Sequence, residues 1–261
     1  MGSGTGVMMD KIKSSRVCKI FRQDKAETVA LENVNLDVQE NEFVVIVGPS
    51  GCGKSTFLHL VAGFESLSEG ELLFDGHPVT GPGADRGYVF QHSTLFPWRT
   101  VLKNIMFGLE QKGVGKDECE SIARKYVRLV GLSGFEDAYP HTLSGGMKQR
   151  AEIARVLAYG PEVLLMDEPF GALDAQTRKV MQVELERIWE TEKKTVVMVT
   201  HSVIEAVYLA DRVFVMTARP GTIKAEIPIE LPRPRDYTDS DFLRYRKEIL
   251  DLLEEEVMKS L

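Results

Sequence analysis

The run Phe43-Val44-Val45-Ile46-Val47-Gly48-Pro49-Ser50-Gly51-Cys52-Gly53-Lys54-Ser55-Thr56 joins five consecutive apolar residues to a glycine-rich turn and the start of a helix. An unbroken apolar run of this length is the pattern of a strand buried on both faces. Gly48 to Ser55 fits G-x-x-x-x-G-K-[ST]. Glycines let the backbone curl and approach a polyphosphate with no Cβ in the way. The amides then form an anion nest at a helix N-terminus. Lys54 adds a point charge for the β and γ phosphates, and Ser55 offers a hydroxyl to Mg²⁺.

Working outward, the segments from Val17 to Val47 read as strands. Val34, Leu36 and Val38 alternate with the polar Asn35 and Asp37. Lys54–Gly63 reads as a helix that stops at its glycine. Glu71–Phe74 reads as a strand, with Asp75-Gly76 as a tight turn. The span from about 93 to 159 is mostly helix and loop. Within it, 117–130 places Ile122, Ala123, Tyr126, Leu129 and Val130 on one face and ends at Gly131. A buried strand follows at Val163–Met166. The next helix runs from Ala175 to about Glu190, with Asp174 as its cap and Met181, Leu185 and Ile188 as its stripe. Thr195–Thr200 is another strand, and Ser202-Val203-Ile204-Glu205 is a capping box. Buried strands alternating with helices predict an α/β fold: a mostly parallel sheet with helices on its faces, interrupted by a helical insert. Leu231-Pro232-Arg233-Pro234-Arg235 cannot be helix interior. Phe242, Tyr245, Ile249, Leu253 and Val257 then form the stripe of a final amphipathic helix.

A second set of polar residues sits at strand ends. Val163–Met166 is followed by Asp167 and Glu168, placed where the carboxyl ends of parallel strands meet ligands. Asp167 suits a Mg²⁺ shell together with Ser55, and Glu168 suits orienting or deprotonating a water. A strand-end Asp-Glu on its own is equally a helix cap; beside a phosphate loop, chemistry is the better reading. Gln91 follows Tyr88-Val89-Phe90, and His201 follows Thr195–Thr200. Each by itself is an ordinary loop residue.

The 261 residues carry 32 Lys plus Arg against 39 Asp plus Glu, a net charge of −7, with 43% apolar residues. This is globular composition, with no apolar run near the ~20 residues that span a bilayer. The acidic balance opposes a nucleic-acid partner. The three cysteines, Cys18, Cys52 and Cys119, lack metal-ligand spacing and do not form a disulfide framework; a reducing compartment is expected. Met1–Ser15 has no apolar core of a secretory signal and reads as a flexible leader.

Leu143-Ser144-Gly145-Gly146-Met147-Lys148-Gln149-Arg150 resembles the signature of ATP-binding cassette (ABC) ATPases. A Ser-Gly-Gly before a helix is a second anion-facing N-terminus. The resemblance implies a P-loop NTPase core with a mostly parallel sheet, an antiparallel β portion and a helical subdomain. It covers 16–220, with the subdomain at about 93–159 and a tail at 221–261. It implies ATP and Mg²⁺ as cofactors, held by Gly48, Pro49, Ser50, Gly51, Cys52, Gly53, Lys54, Ser55 and Thr56. In the family, a head-to-tail dimer closes Ser144, Gly145 and Gly146 of one subunit on the γ-phosphate of the other. Phe21 matches the adenine-stacking aromatic. Gln91 matches the Q-loop glutamine, which touches Mg²⁺ and reports to the membrane partner. Gly171-Ala172-Leu173-Asp174 matches the D-loop, and His201 the switch histidine. Met147 and Gly171 replace the commoner Gln and Ser. Asn41 stands where a Gly is usual, and Asn tolerates a left-handed turn.

Leu95-Phe96-Pro97-Trp98-Arg99-Thr100-Val101 with Asn104, Ala218-Arg219-Pro220-Gly221, and the Leu231–Arg235 stretch are similar to the nitrate/sulfonate/taurine importer ATPases. This implies a peripheral subunit on the inner face of the cell membrane. Its partners would be a second copy, transmembrane permease subunits and, through them, an external solute-binding protein, with no nucleic acid. Phe96 and Trp98 would anchor a permease segment. The rival classes are a soluble ABC ATPase of DNA repair or translation, and a P-loop kinase for a small metabolite. Lys54 and Ser144 lie only about 90 positions apart, with no long heptad run between them, which opposes the repair type.

Overall fold

A computed structural model describes residues 10–23, 26–171 and 173–259. The strands are β1 (Ile12–Gln23), β2 (Ala26–Val38), β3 (Phe43–Val47), β4 (Glu69–Phe74), β5 (His77–Pro78), β6 (Arg86–Val89), β7 (Val163–Asp167), β8 (Thr195–Thr200), β9 (Arg212–Met216) and β10 (Ile223–Pro228). The helices are α1 (Lys54–Ala62), α2 (Val101–Gln111), α3 (Lys116–Leu129), α4 (Gly145–Tyr159), α5 (Ala175–Glu192), α6 (Val203–Leu209) and α7 (Ser240–Lys259). Of the segment read as a leader, residues 1–9 lie outside the described residues, and β1 already runs from Ile12. The chain falls into two compact units. One runs up to Gly83 and resumes at His201; the other is Ala84–Thr200.

In the first unit, β2, β1, β4 and β5 form an antiparallel sheet, with Val34 opposite Val17 and Ile12 opposite Phe74. Val34, Leu36 and Val38 are buried as their alternation requires, while Asn35 faces out. Asp75 and Gly76 both take positive φ and join Phe74 to His77, a two-residue hairpin. β3 pairs in parallel with β9, which pairs antiparallel with β10. Every residue of β3 is fully buried, as expected of a central parallel strand. Asn41 does adopt the left-handed conformation, at φ 61°.

The Leu231–Arg235 stretch is not helical, and its arginines work as clamps. Arg235 is 6% exposed, and its Nη1 donates to the carbonyls of Val207 at 2.7 Å, Tyr208 at 3.2 Å and Ala210 at 2.6 Å. These are carbonyls at the C-terminal end of α6, which have no intrahelical donor and attract a cation. Arg233 reaches the Leu209 carbonyl and Asp211, whose other oxygen accepts from the Phe43 amide. The tail is thus tied to the last turn of α6 and to the start of β3. Phe242, Tyr245 and Ile249 of α7 are buried, as their stripe predicts; Leu253 is only half-buried. Replacing Arg235 by Met leaves those carbonyls without their charged donor. We expect the variant to lose about 2–4 kcal/mol of unfolding free energy in urea titrations.

In the second unit, β6, β7 and β8 are parallel, with Leu165 opposite both Tyr88 and Val197. All residues of β7 and β8 are buried. Helices α2, α3 and α4 pack together, and their Val101, Ile105, Leu109, Ala123, Val127 and Leu157 are buried. The helix expected at 117–130 is α3, and Gly131 follows it at φ 65°. β9 and β10 were not evident from periodicity, although Val213–Met216 is a four-residue apolar run that could have shown the former.

Candidate active site

The phosphate loop lies between β3 and α1. Gly53 stands at the N-cap of α1 with φ 106°, a conformation closed to side chains, and gives the helix no side-chain acceptor. A Cβ there would also stand 2.7 Å from Leu31 Cδ2. Lys54 is 5% exposed, and its ammonium curls back over the loop, donating to the carbonyls of Gly48 at 2.8 Å and Pro49 at 3.0 Å. Burial raises the pKa of the Cys52 thiol, which favours the neutral form. From behind, Arg219 Nε donates to the Gly51 carbonyl at 3.1 Å, and the Gly221 amide donates to Ala30 O at 3.0 Å. A Cβ on Gly221 would run into the Cys52 carbonyl. The Ala218–Gly221 stretch therefore braces the loop, a role not foreseen from sequence. Glycine geometry, a helix N-terminus without a side-chain cap and a buried lysine together fit a polyphosphate.

Asp167 is the last residue of β7 and 7% exposed. Tyr88, on the neighbouring strand, donates its hydroxyl to Asp167 Oδ2 at 3.2 Å. Glu168 takes φ 43°, and its amide donates to Val199 O at 2.9 Å, so the backbone turns sharply at the strand end. A non-glycine residue in this region is strained by ~1–2 kcal/mol. Gln91 Nε2 lies 3.4 Å from Glu168 Oε2, which brings two residues separated by 77 positions together.

Ser144 caps α4, its hydroxyl accepting from the Met147 amide at 3.3 Å, and Gly145 and Gly146 open the helix. A Cβ on Gly146 would stand 2.6 Å from Thr177 Cγ2 on α5. Asp174 caps α5, accepting from the amides of Gln176 and Thr177 at 3.0 Å and from the Thr177 hydroxyl at 2.7 Å. Donors from Thr177 hold this carboxyl below its ordinary range. The Ser144–Gly146 and Gly171–Asp174 stretches thus meet through Thr177; Ala172 lies outside the described residues. In the first unit, Phe21 sits on β1 opposite Thr28 and is 39% exposed. His201 is exposed and directly precedes Ser202, the cap of α6.

The Leu95–Val101 stretch has its own geometry. Asn104, fully buried, accepts from the Phe96 amide at 2.8 Å and donates to the carbonyls of Phe96, Arg99 and Thr100. Its amide closes the loop that presents Phe96 and Trp98, and Trp98 is 72% exposed. Beside this loop is a cavity of about 440 Å³, walled by Tyr88, Phe96, Phe107, Gly108, Arg155 and Tyr159 among others. Arg155 lies 5.6 Å from the Phe96 ring and donates to the Thr94 carbonyl and hydroxyl.

The ABC transporter family matches residues 31–171, more than half of the chain. The chain belongs to the ABC transporter family. It is 60% identical over 254 residues to the ABC transporter ATP-binding protein MJ0412 of Methanocaldococcus jannaschii, covering 97% of this chain and 95% of that protein. It is 49% identical over 244 residues to the nitrate import ATP-binding protein NrtD of Synechocystis, covering 90% and 92%. It is 45% identical over 239 residues to the aliphatic sulfonates import ATP-binding protein SsuB of Bacillus cereus, covering 91% and 94%. Among solved structures, the ATP-binding cassette MJ0796, dimeric and bound to ADP and Pi in a post-hydrolysis state, aligns with a TM-score of 0.75 at 32% identity. The alignment covers 85% of this chain and 100% of that one. As an ABC ATPase, the chain has an α/β core with parallel strands, an antiparallel sheet and a helical subdomain, and it binds and hydrolyses ATP. Among the described residues no group of three or more His, Cys, Asp or Glu is placed to hold a metal ion.

Proposed function

We propose that this ABC ATPase powers a membrane importer for a small anion such as nitrate, a sulfonate or taurine. The observation that carries the reading is the likeness, over nine-tenths of the chain, to proteins named for nitrate and aliphatic sulfonate import. The exposed Trp98 and the Phe96 cavity support a permease docking surface on the second unit, with an aromatic anchor typical of interfaces. Among the described residues no helix is long and apolar enough to cross a membrane, so translocation in this reading belongs to the permease.

In this reading the amides of Gly48–Thr56 and the Lys54 ammonium hold the ATP phosphates, and Phe21 packs on the adenine. Ser55, Asp167 and Gln91 would hold Mg²⁺, which would supply positive charge to neutralise the phosphates. Glu168 accepts a proton as water attacks the γ-phosphorus, and the bond to the bridging oxygen breaks to leave ADP and inorganic phosphate. Gln91 steadies the Glu168 carboxylate from 3.4 Å. His201 contacts the γ-phosphate. Ser144, Gly145, Gly146 and Asp174 serve the partner's nucleotide in a head-to-tail dimer. The dimeric cassettes among the solved relatives support a dimer. The chain itself would work at the inner face of the membrane.

Affinity purification from membranes of its own cell tests the proposal: a permease is expected to copurify. Recovery with ribosomes or DNA and no permease would favour the soluble ABC ATPase. Phosphate transferred to an added metabolite, rather than released, would favour the kinase.

A further inference from the structure

The loop 217–222 joins β9 to β10 and closes on itself. The Thr217 hydroxyl donates to Pro220 O at 3.0 Å and accepts from the Thr222 amide at 3.0 Å. Its tip lies on the phosphate loop. Arg219 Nε donates to Gly51 O at 3.1 Å, and the Gly221 backbone stands so close to Cys52 O that a Cβ would collide with it. In a planar trans peptide the carbonyl and the amide that follows it point in opposite directions. Holding the Gly51 and Cys52 carbonyls toward loop 217–222 therefore turns the amides of Cys52 and Gly53 the other way. The Cys52 amide reaches across the phosphate loop to Pro49 O at 3.3 Å, a long bond that a phosphate oxygen can replace. The residue before Arg219 is held in turn by α7. Glu256 is 3% exposed, accepts from the Ala218 amide at 3.3 Å and pairs with Lys224 of β10 at 2.8 Å.

We propose that Arg219 is a positioning residue for the phosphate loop, and that α7 sets its placement through Glu256. Arg219 fixes the plane of the Gly51–Cys52 peptide, and with Gly221 it keeps two successive amides aimed at a polyphosphate. The Arg219 residue is exposed, so packing does not hold its long side chain; its reach to Gly51 O depends on where its backbone is held. The Glu256 carboxylate holds the adjoining amide by a charge-assisted bond. Withdrawing α7 from Ala218 slackens the Arg219 contact and lowers the affinity for nucleotide, although α7 itself touches no part of the phosphate loop's carbonyls. The inference rests on the assignment of Gly48–Thr56 to the ATP phosphates.

The test is binding of ATP, ADP and AMP to the full-length protein, followed by fluorescence titration. Arg219→Ala is expected to weaken ATP and ADP binding about 3- to 10-fold, the worth of one hydrogen bond. AMP, which has no β phosphate for the loop to hold, should bind as before. Equal losses for ATP and AMP would mark a merely structural role and overturn the proposal. Arg219→Gln places an amide nitrogen the same number of bonds from Cα as the arginine Nε, without the charge. It is expected to restore ATP affinity to within about 2-fold of wild type, since the donor is kept. A Gln variant as weak as Arg219→Ala would show that charge, not carbonyl placement, carries the effect. Glu256→Ala should weaken ATP binding in the wild type and add nothing in the Arg219→Ala background; an equal further loss there overturns the α7 link. Thermal melts check each fold. Should Glu256→Ala not fold, Glu256→Asp carries the same comparison, because it keeps a charge and withdraws the carboxylate by one methylene. If Lys54→Ala leaves ATP affinity unchanged, the phosphate-loop assignment fails. If Lys54→Ala weakens it and Arg219→Ala does not, the Arg219 proposal alone fails.

Discussion

Replacing Glu168 by Gln is expected to lower the rate of ATP hydrolysis about 10²- to 10⁴-fold, the span that general-base contributions commonly cover. The side chain keeps its size, and its hydrogen bond from Gln91 at 3.4 Å can be remade to the amide oxygen. What is lost is the capacity to accept the proton of the attacking water. Binding should be spared, because the phosphates are held on other residues. Nucleotide affinity, measured by fluorescence titration, is therefore expected within about 3-fold of wild type, since uniform binding is not what this residue supplies. The assay is run on the complex with the permease that the proposed function predicts will copurify. Near-normal turnover in that complex would remove Glu168 from its assigned role. The strained φ of 43° at this position makes a thermal melt a useful companion measurement: an unchanged midpoint separates lost chemistry from lost fold.

Lys54→Ala is expected to weaken ATP binding by about 30- to 150-fold, or about 2–3 kcal/mol, the range of a charge-assisted hydrogen bond removed from a buried site. Lys54 is nearly buried and already folded over the loop by its bonds to Gly48 and Pro49. Little side-chain ordering is then left to do when phosphate arrives, which concentrates the loss in the contact itself. AMP, which has no β or γ phosphate, should bind the variant and the wild type alike. Unchanged ATP affinity in Lys54→Ala would contradict the phosphate-loop assignment.

Much of this protein was legible one residue at a time. The glycines of Gly48–Gly53, the Asp174 cap, the Ser202 cap and the all-buried strands at Phe43–Val47 and Thr195–Thr200 follow from rules that act over a few residues. The structure places each where its pattern puts it. Such features are local: a cap needs only its own helix, and a continuous apolar run needs only two covered faces. The family also follows from short motifs, since a phosphate cradle has to be built from contiguous backbone amides.

The remainder was carried by contacts between residues far apart in the chain. Nothing in Arg233 or Arg235 announces that they close the end of α6, about 25 positions earlier. Tyr88 reads as one more strand aromatic until parallel pairing sets it diagonal to Asp167. Asn104 appears as an isolated polar residue on a helix until the loop folds over its amide. Arg219 and Gly221 gain their role only when the chain returns behind the phosphate loop. By itself the sequence determined which residues could hold a polyphosphate and in what local geometry. Tertiary structure alone decided which side chains brace them, because hydrogen bonds between distant residues depend on sheet register and chain return, and neither leaves a periodic trace in the sequence.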